Sequence, residues 1–190
     1  MTIVKVSKKK IIRAILDEPL RNLAPGTWID YNEGDGDLAN NEVKDCPVCA
    51  VGATMRAIIS PDEKMEHILD AIHVSVKEGR CDIAIPTSSW RSDNTVLVNN
   101  RFYKAPKTKQ DIFDIAKDSI KKFPMASISQ VFESLCDLRT SQKDYFHNLS
   151  RHQVYRIRKD VAEFVERYFP AYVTLDINGA MPAKDVKVVK

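Results

Sequence analysis

Apolar residues along this chain fall first into a helical spacing. In "KKKIIRAILD" (8–17), Ile11, Ile12, Ile15 and Leu16 recur at intervals of three and four, with Ser7 placed as an N-cap. Pro25-Gly26 ends that segment, and "TWI" (27–29) reads as a short strand before a Gly/Asp/Asn-rich loop. A second helix is predicted over 46–59, capped by Asp45 with Pro47 in its first turn. Its small residues, Cys46, Cys49, Ala50 and Ala53, share one face. Val48, Val51, Met55 and Ile58 form another, and only Thr54 and Arg56 are polar. A helix apolar almost all round is predicted to be buried. "SPDE" (60–63) then reads as a capping box, with Ser60 as N-cap and Glu63 at N3, for a helix reaching about Glu78 and stopped by Gly79.

The middle of the chain changes period. "CDIAI" (81–85) and "TVLVNNRFY" (95–103) flank the polar "PTSSWRSDN" as the two arms of a hairpin over 81–103. Helical spacing returns in "KQDIFDIAKDSIKKF" (109–123), "SQVFESLCDL" (129–138) and "RHQVYRIRKDVAEFVERYF" (151–169). Ser150 and Gln153 form a capping box for the last of these, and Pro170 ends it. "AYVTLDI" (171–177) is a final strand, followed by a lysine-dotted tail. The elements predict a helix-rich α+β fold with a small antiparallel sheet or hairpin and a helical C-terminal half.

Size and charge refine this picture. At 190 residues and 44 % hydrophobic, the chain suits one domain with an ordinary core. No run reaches the roughly 18 apolar residues of a membrane span, and the N-terminus lacks the apolar stretch of a signal peptide. Four scattered cysteines make no disulfide framework, so a reducing cytosol is the expected compartment. A net charge of +3 conceals an asymmetry: residues 1–100 carry 12 Lys/Arg against 15 Asp/Glu, and residues 101–190 carry 17 against 11. The chain therefore divides into an acidic α+β part (1–104) and a basic helical part (105–190) able to meet an acidic partner.

Candidate chemistry is sparse. The C-x-x-C pair Cys46/Cys49 allows three readings: small core residues, a metal clamp, or a redox pair at a helix N-terminus. A metal site would need further ligands from residues such as His73 and Cys81 (His67 is another), and their spacing matches no zinc pattern. A redox unit would need a hydrophobic strand before the pair, and "DLANNEVKD" is not one. The core reading is favoured, and no cofactor is implied. His147 and His152 have no matched ligands beside them. Phosphate-loop, nucleophile-elbow and zincin motifs are missing, and the acidic loop from Asp30 to Asp37 fits no EF-hand register.

The last helix carries the clearest candidate surface. Val154, Ile157, Val161, Phe164, Val165 and Tyr168 form its apolar stripe. Arg151, His152, Arg156, Arg158 and Lys159 crowd its first half, and Glu163 and Glu166 follow. That order opposes the helix dipole and places Lys159 before Glu163, the weaker orientation of an i,i+4 pair. Binding an acidic surface would explain it. A loose helix-turn-helix reading makes 151–159 a recognition segment for nucleic acid. Trp90 and Arg91, in the polar loop of the hairpin, are a second candidate anchor.

The Trp28 of "PGTWI", a polar stretch and Cys49-Ala50-Val51-Gly52-Ala53 opening an apolar helix resemble small uncharacterised proteins carried by bacteriophages. The resemblance covers roughly residues 10–58. It implies a mobile-element origin and a non-enzymatic protein in the host cytosol. Such a protein would bind and modulate a host protein or ribonucleoprotein, for instance in a defence system. A nucleic-acid-binding regulator and a zinc- or thiol-dependent enzyme are the alternatives.

Overall fold

The computed structural model describes residues 1–17, 49–64, 67–68, 70–72, 74, 95–98, 101–104, 106–139 and 149–189, with backbone alone for 95–98, 101–103 and 137. In chain order the elements are β1 (Ile3–Ser7), α1 (Lys8–Asp17), α2 (Ala50–Ile58), β2 (Thr95–Val98), β3 (Arg101–Lys104), α3 (Lys109–Ala116), α4 (Pro124–Arg139), α5 (Arg151–Tyr168), β4 (Tyr172–Asp176) and β5 (Lys187–Val188). Further helical residues occur between 67 and 74. The fold is α+β and helix-rich, with a three-stranded antiparallel sheet in the order β4-β1-β5 and a separate two-stranded pairing of β2 with β3.

Local signals account for most helix starts. The Ser7 hydroxyl accepts from the Lys10 N–H at 3.2 Å and opens α1, whose Ile11 and Ile15 turn into the core. Reciprocal capping boxes open α3 (Thr108 with Asp111) and α5 (Ser150 with Gln153). The predicted helix over 109–123 stays regular only to Ala116 and tightens into a 3₁₀ turn at Lys117–Ser119. Pro124 then begins α4 five residues earlier than the spacing of apolar residues indicates, because proline is tolerated in a first helical turn. Leu138, in the last turn of α4, is 39 % exposed.

The predicted helix 46–59 begins later, at Ala50. Cys49 is its N-cap, with φ −80° and ψ −179°, and an extended residue there ends the helix on that side. Asp45 to Val48 lie outside the described residues. What does hold is burial: Ala50 through Met55 and Ile58 are all buried. The buried hydroxyl of α2, Thr54, donates to the Ala50 carbonyl at 2.8 Å, so no polar group of that side chain is stranded. Helix α2 packs against α1 and α4, and α5 packs against the same two helices. One continuous core runs from Val4 to Val186. Phe164 anchors it from α5, with ring centroids 5.3 Å from Phe113, 5.4 Å from Tyr168 and 6.0 Å from Phe169.

Three features differ from the sequence expectations. The second run, predicted as one arm of a hairpin, is itself two strands: Val98 pairs with Arg101 and Thr95 with Lys104. The arm 81–85 lies outside the described residues. Ser60 does not open a capping box, because its N–H donates to the Met181 carbonyl at 2.8 Å and Glu63 turns to another partner. The lysine-dotted tail is part of the fold. Ala180 and Val186 are buried, Ala183 donates to the Ile58 carbonyl at 2.7 Å, and β5 extends the sheet beside an unforeseen strand, β1. The alternation of Val4 and Val6, both buried, was the signal for that strand.

Candidate functional site

Cys49 sits at the N-terminus of α2, where a helix dipole could have favoured a thiolate. Burial decides otherwise: the residue is 2 % exposed, and desolvation pushes its thiol up to about 12. It is a protonated side chain in the core, and Cys136 is fully buried as well. Among the described residues, no group of three or more His, Cys, Asp or Glu is placed to hold a metal ion. Cys46, His73 and Cys81, the other metal candidates, lie outside the described residues, as do Trp90 and Arg91.

Helix α5 separates its charges by direction. Its acids pair with neighbouring elements and with its own last turn. Asp160 takes Lys109 at 3.2 Å and also Arg139, and Glu163 takes Lys109 at 2.6 Å and Arg167 at 2.7 Å. Glu166 pairs with Lys8 at 3.6 Å, and the same ammonium donates to the Glu166 backbone carbonyl at 2.8 Å. The Glu163 and Asp160 carboxylates hold the Lys109 ammonium above the ordinary lysine range, against the opposing effect of its partial burial. Glu163 therefore serves Lys109 and Arg167 rather than Lys159.

The bases of the first two turns are left facing outward. Arg151, Tyr155 and Lys159 follow one another at four-residue steps on the exposed side, with His152 and Arg156 alongside. The Lys159 ammonium lies 4.5 Å from the Tyr155 ring centroid. Arg151, Arg156 and Lys159 make no salt bridge among the described residues. Arg158 does not belong to this face: it is 9 % exposed, with its guanidinium 5.4 Å from the Tyr155 ring. The junction that the helix-turn-helix reading depends on, 140–148, lies outside the described residues.

A second surface was not foreseen. A cleft of about 860 Å³ opens between β1, α1, α2 and the chain leading into β5. Ala14, Ala53 and Ala57 leave the space, and its walls carry Lys5, Lys9, Lys10, Arg13, Arg56 and Lys187 against only Asp17 and Asp185. Lys10 and Asp185 form an ion pair at 2.6 Å that lowers the Asp185 pKa, chiefly through the hydrogen bond. Helical spacing marks Lys9 and Arg13 as neighbours in sequence, but Lys5 and Lys187 meet only through the sheet. No family model matches the chain, and no curated protein or solved structure matches it either.

Proposed function

We propose that this is a non-catalytic binding protein that docks an acidic surface of a host protein or ribonucleoprotein through the outward face of α5. The observation that carries this reading is the division of charge along that helix. Asp160, Glu163 and Glu166 are drawn to Lys109, Arg139, Arg167 and Lys8, while Arg151, Arg156 and Lys159 remain exposed around Tyr155. A basic patch with an aromatic centre suits an interface, where Arg and Tyr often dominate the binding energy. The buried, protonated Cys49 thiol argues against thiol chemistry at that residue. The phage resemblance adds the expectation that the partner belongs to a host cell and is inhibited on binding. Among the described residues no helix is long and apolar enough to cross a membrane.

The test is charge reversal at two exposed positions, Arg156→Glu with Lys159→Glu, followed by capture of partners from bacterial lysate with and without nuclease. Binding should weaken more than tenfold, about 1.4 kcal/mol, and the native complex should weaken with salt. Survival of the native complex after nuclease treatment points to a protein partner. Unchanged binding in the double variant at both low and physiological salt would remove α5 from the interface.

A further inference from the structure

The cleft between the sheet and α1 has a feature that folding alone does not explain. Lys5 on β1 stands directly opposite Lys187 on β5, and both are exposed. Like charges facing each other across an antiparallel pair are destabilising, so an anion between them would remove a cost the free protein carries. On the other side of Lys5, its ammonium lies 4.8 Å from the ring centroid of Tyr172, and that tyrosine is still 55 % exposed. Lys9 and Arg13 rise from α1 on the facing wall, one helical turn apart and both exposed.

We propose that this cleft binds single-stranded nucleic acid, with phosphates held by Lys5, Lys187, Lys9 and Arg13 and a base stacked on Tyr172. Three observations select this occupant. The cations are spread along two walls rather than gathered at one point, which suits a run of phosphates better than a single phosphate group. The aliphatic side chains lining it are small, Ala14, Ala53, Ala57, Val6 and Val186, against eight charged ones, unlike the predominantly apolar pockets that bury a compact ligand. An exposed aromatic ring set among lysines is the pairing of stacking platform and basic groove that sequence-tolerant single-strand binders use. An acidic peptide would satisfy the lysines but would make no use of the part of the Tyr172 ring that Lys5 leaves exposed. The site is distinct from the outward face of α5 and shares no residue with it.

The experiment uses the full chain and a fluorescein-labelled oligouridylate of about twelve nucleotides, read by anisotropy across a salt series. The paired substitution Lys5→Ala with Lys187→Ala should weaken binding more than tenfold. It should also lower the slope of log K against log salt by about 1.4, about 0.7 for each phosphate no longer neutralised. Tyr172→Ala should weaken binding about tenfold, and Tyr172→Phe should stay within about twofold of the native protein, because the ring and not the hydroxyl stacks. Lys104→Ala with Lys121→Ala removes the same charge at exposed positions away from the cleft and should also stay within about twofold. Melting curves check that each variant is folded, and Lys9→Ala with Arg13→Ala replaces the first pair should that one fail. Equal losses in the cleft and control pairs would overturn the proposal. So would a Tyr172→Ala protein that binds as well as Tyr172→Phe, or displacement of the oligonucleotide by polyaspartate at equal charge concentration.

Discussion

Glu63 accepts a hydrogen bond from the backbone N–H of Met181 at 2.6 Å, joining the segment after α2 to the C-terminal tail across 118 residues of chain. The same carboxylate meets His67 Nδ1 at 2.8 Å and the Lys64 N–H at 2.9 Å. These bonds, with Met181 the largest contributor, hold the Glu63 carboxyl below its ordinary value.

A pH dependence follows from that direction. A carboxylate favoured by the fold contributes fully above the ordinary glutamate pKa of 4.5, and the contribution is lost as pH falls through the depressed folded value. Glu63→Gln keeps an acceptor for Met181 but does not titrate. Urea unfolding at pH 6 should show the variant about 1 kcal/mol less stable, and the difference should shrink towards pH 3. A difference constant over that range would show that the charge of Glu63 is not what ties the tail.

Asp160 and Glu166 lie on the same helix and should respond very differently. The Asp160 side chain is 14 % exposed and serves two cations, so Asp160→Ala should cost about 2 kcal/mol in chemical denaturation. Glu166 is 63 % exposed at 3.6 Å from Lys8, which keeps its bond to the backbone carbonyl in any variant. Glu166→Ala should therefore stay within about 0.5 kcal/mol of the native protein. Equal effects would mean that the contacts to Lys109 and Arg139 contribute nothing to stability.

Cys49 and Cys136 should resist alkylation in the native state. With the Cys49 thiol raised to about 12 by burial, almost none of it is thiolate at pH 8. Iodoacetamide treatment followed by peptide mapping should leave both residues unmodified until guanidinium is added. Native-state modification of Cys49 at the unfolded rate would contradict its placement in the core. A stoichiometric zinc lost in a Cys46→Ala, Cys49→Ala variant would instead place a thiolate there.

The parts of the fold that were legible in the sequence depend on near neighbours in the chain. The stripe from Val154 to Val165, the Ser150–Gln153 box and the strand at 172–176 all express interactions within about four residues. The exposed trio Arg151, Arg156 and Lys159 was legible for the same reason, being the complement of that stripe. Arg158 was not, because its burial depends on what packs beside α5. Ser60 and Glu63 show the limit most clearly: the local capping signal was present, but Met181 offered both a carbonyl and an N–H and drew both residues away from it. The cleft lay beyond sequence reading altogether, since Lys5 and Lys187 stand 182 positions apart and are neighbours only by strand register. Periodicity and capping are written residue by residue, so the sequence alone determined where these helices lie and most of their inward faces, though not every boundary. Strand pairing and competition for hydrogen-bond partners depend on which distant segments arrive together, and only the tertiary structure decided those.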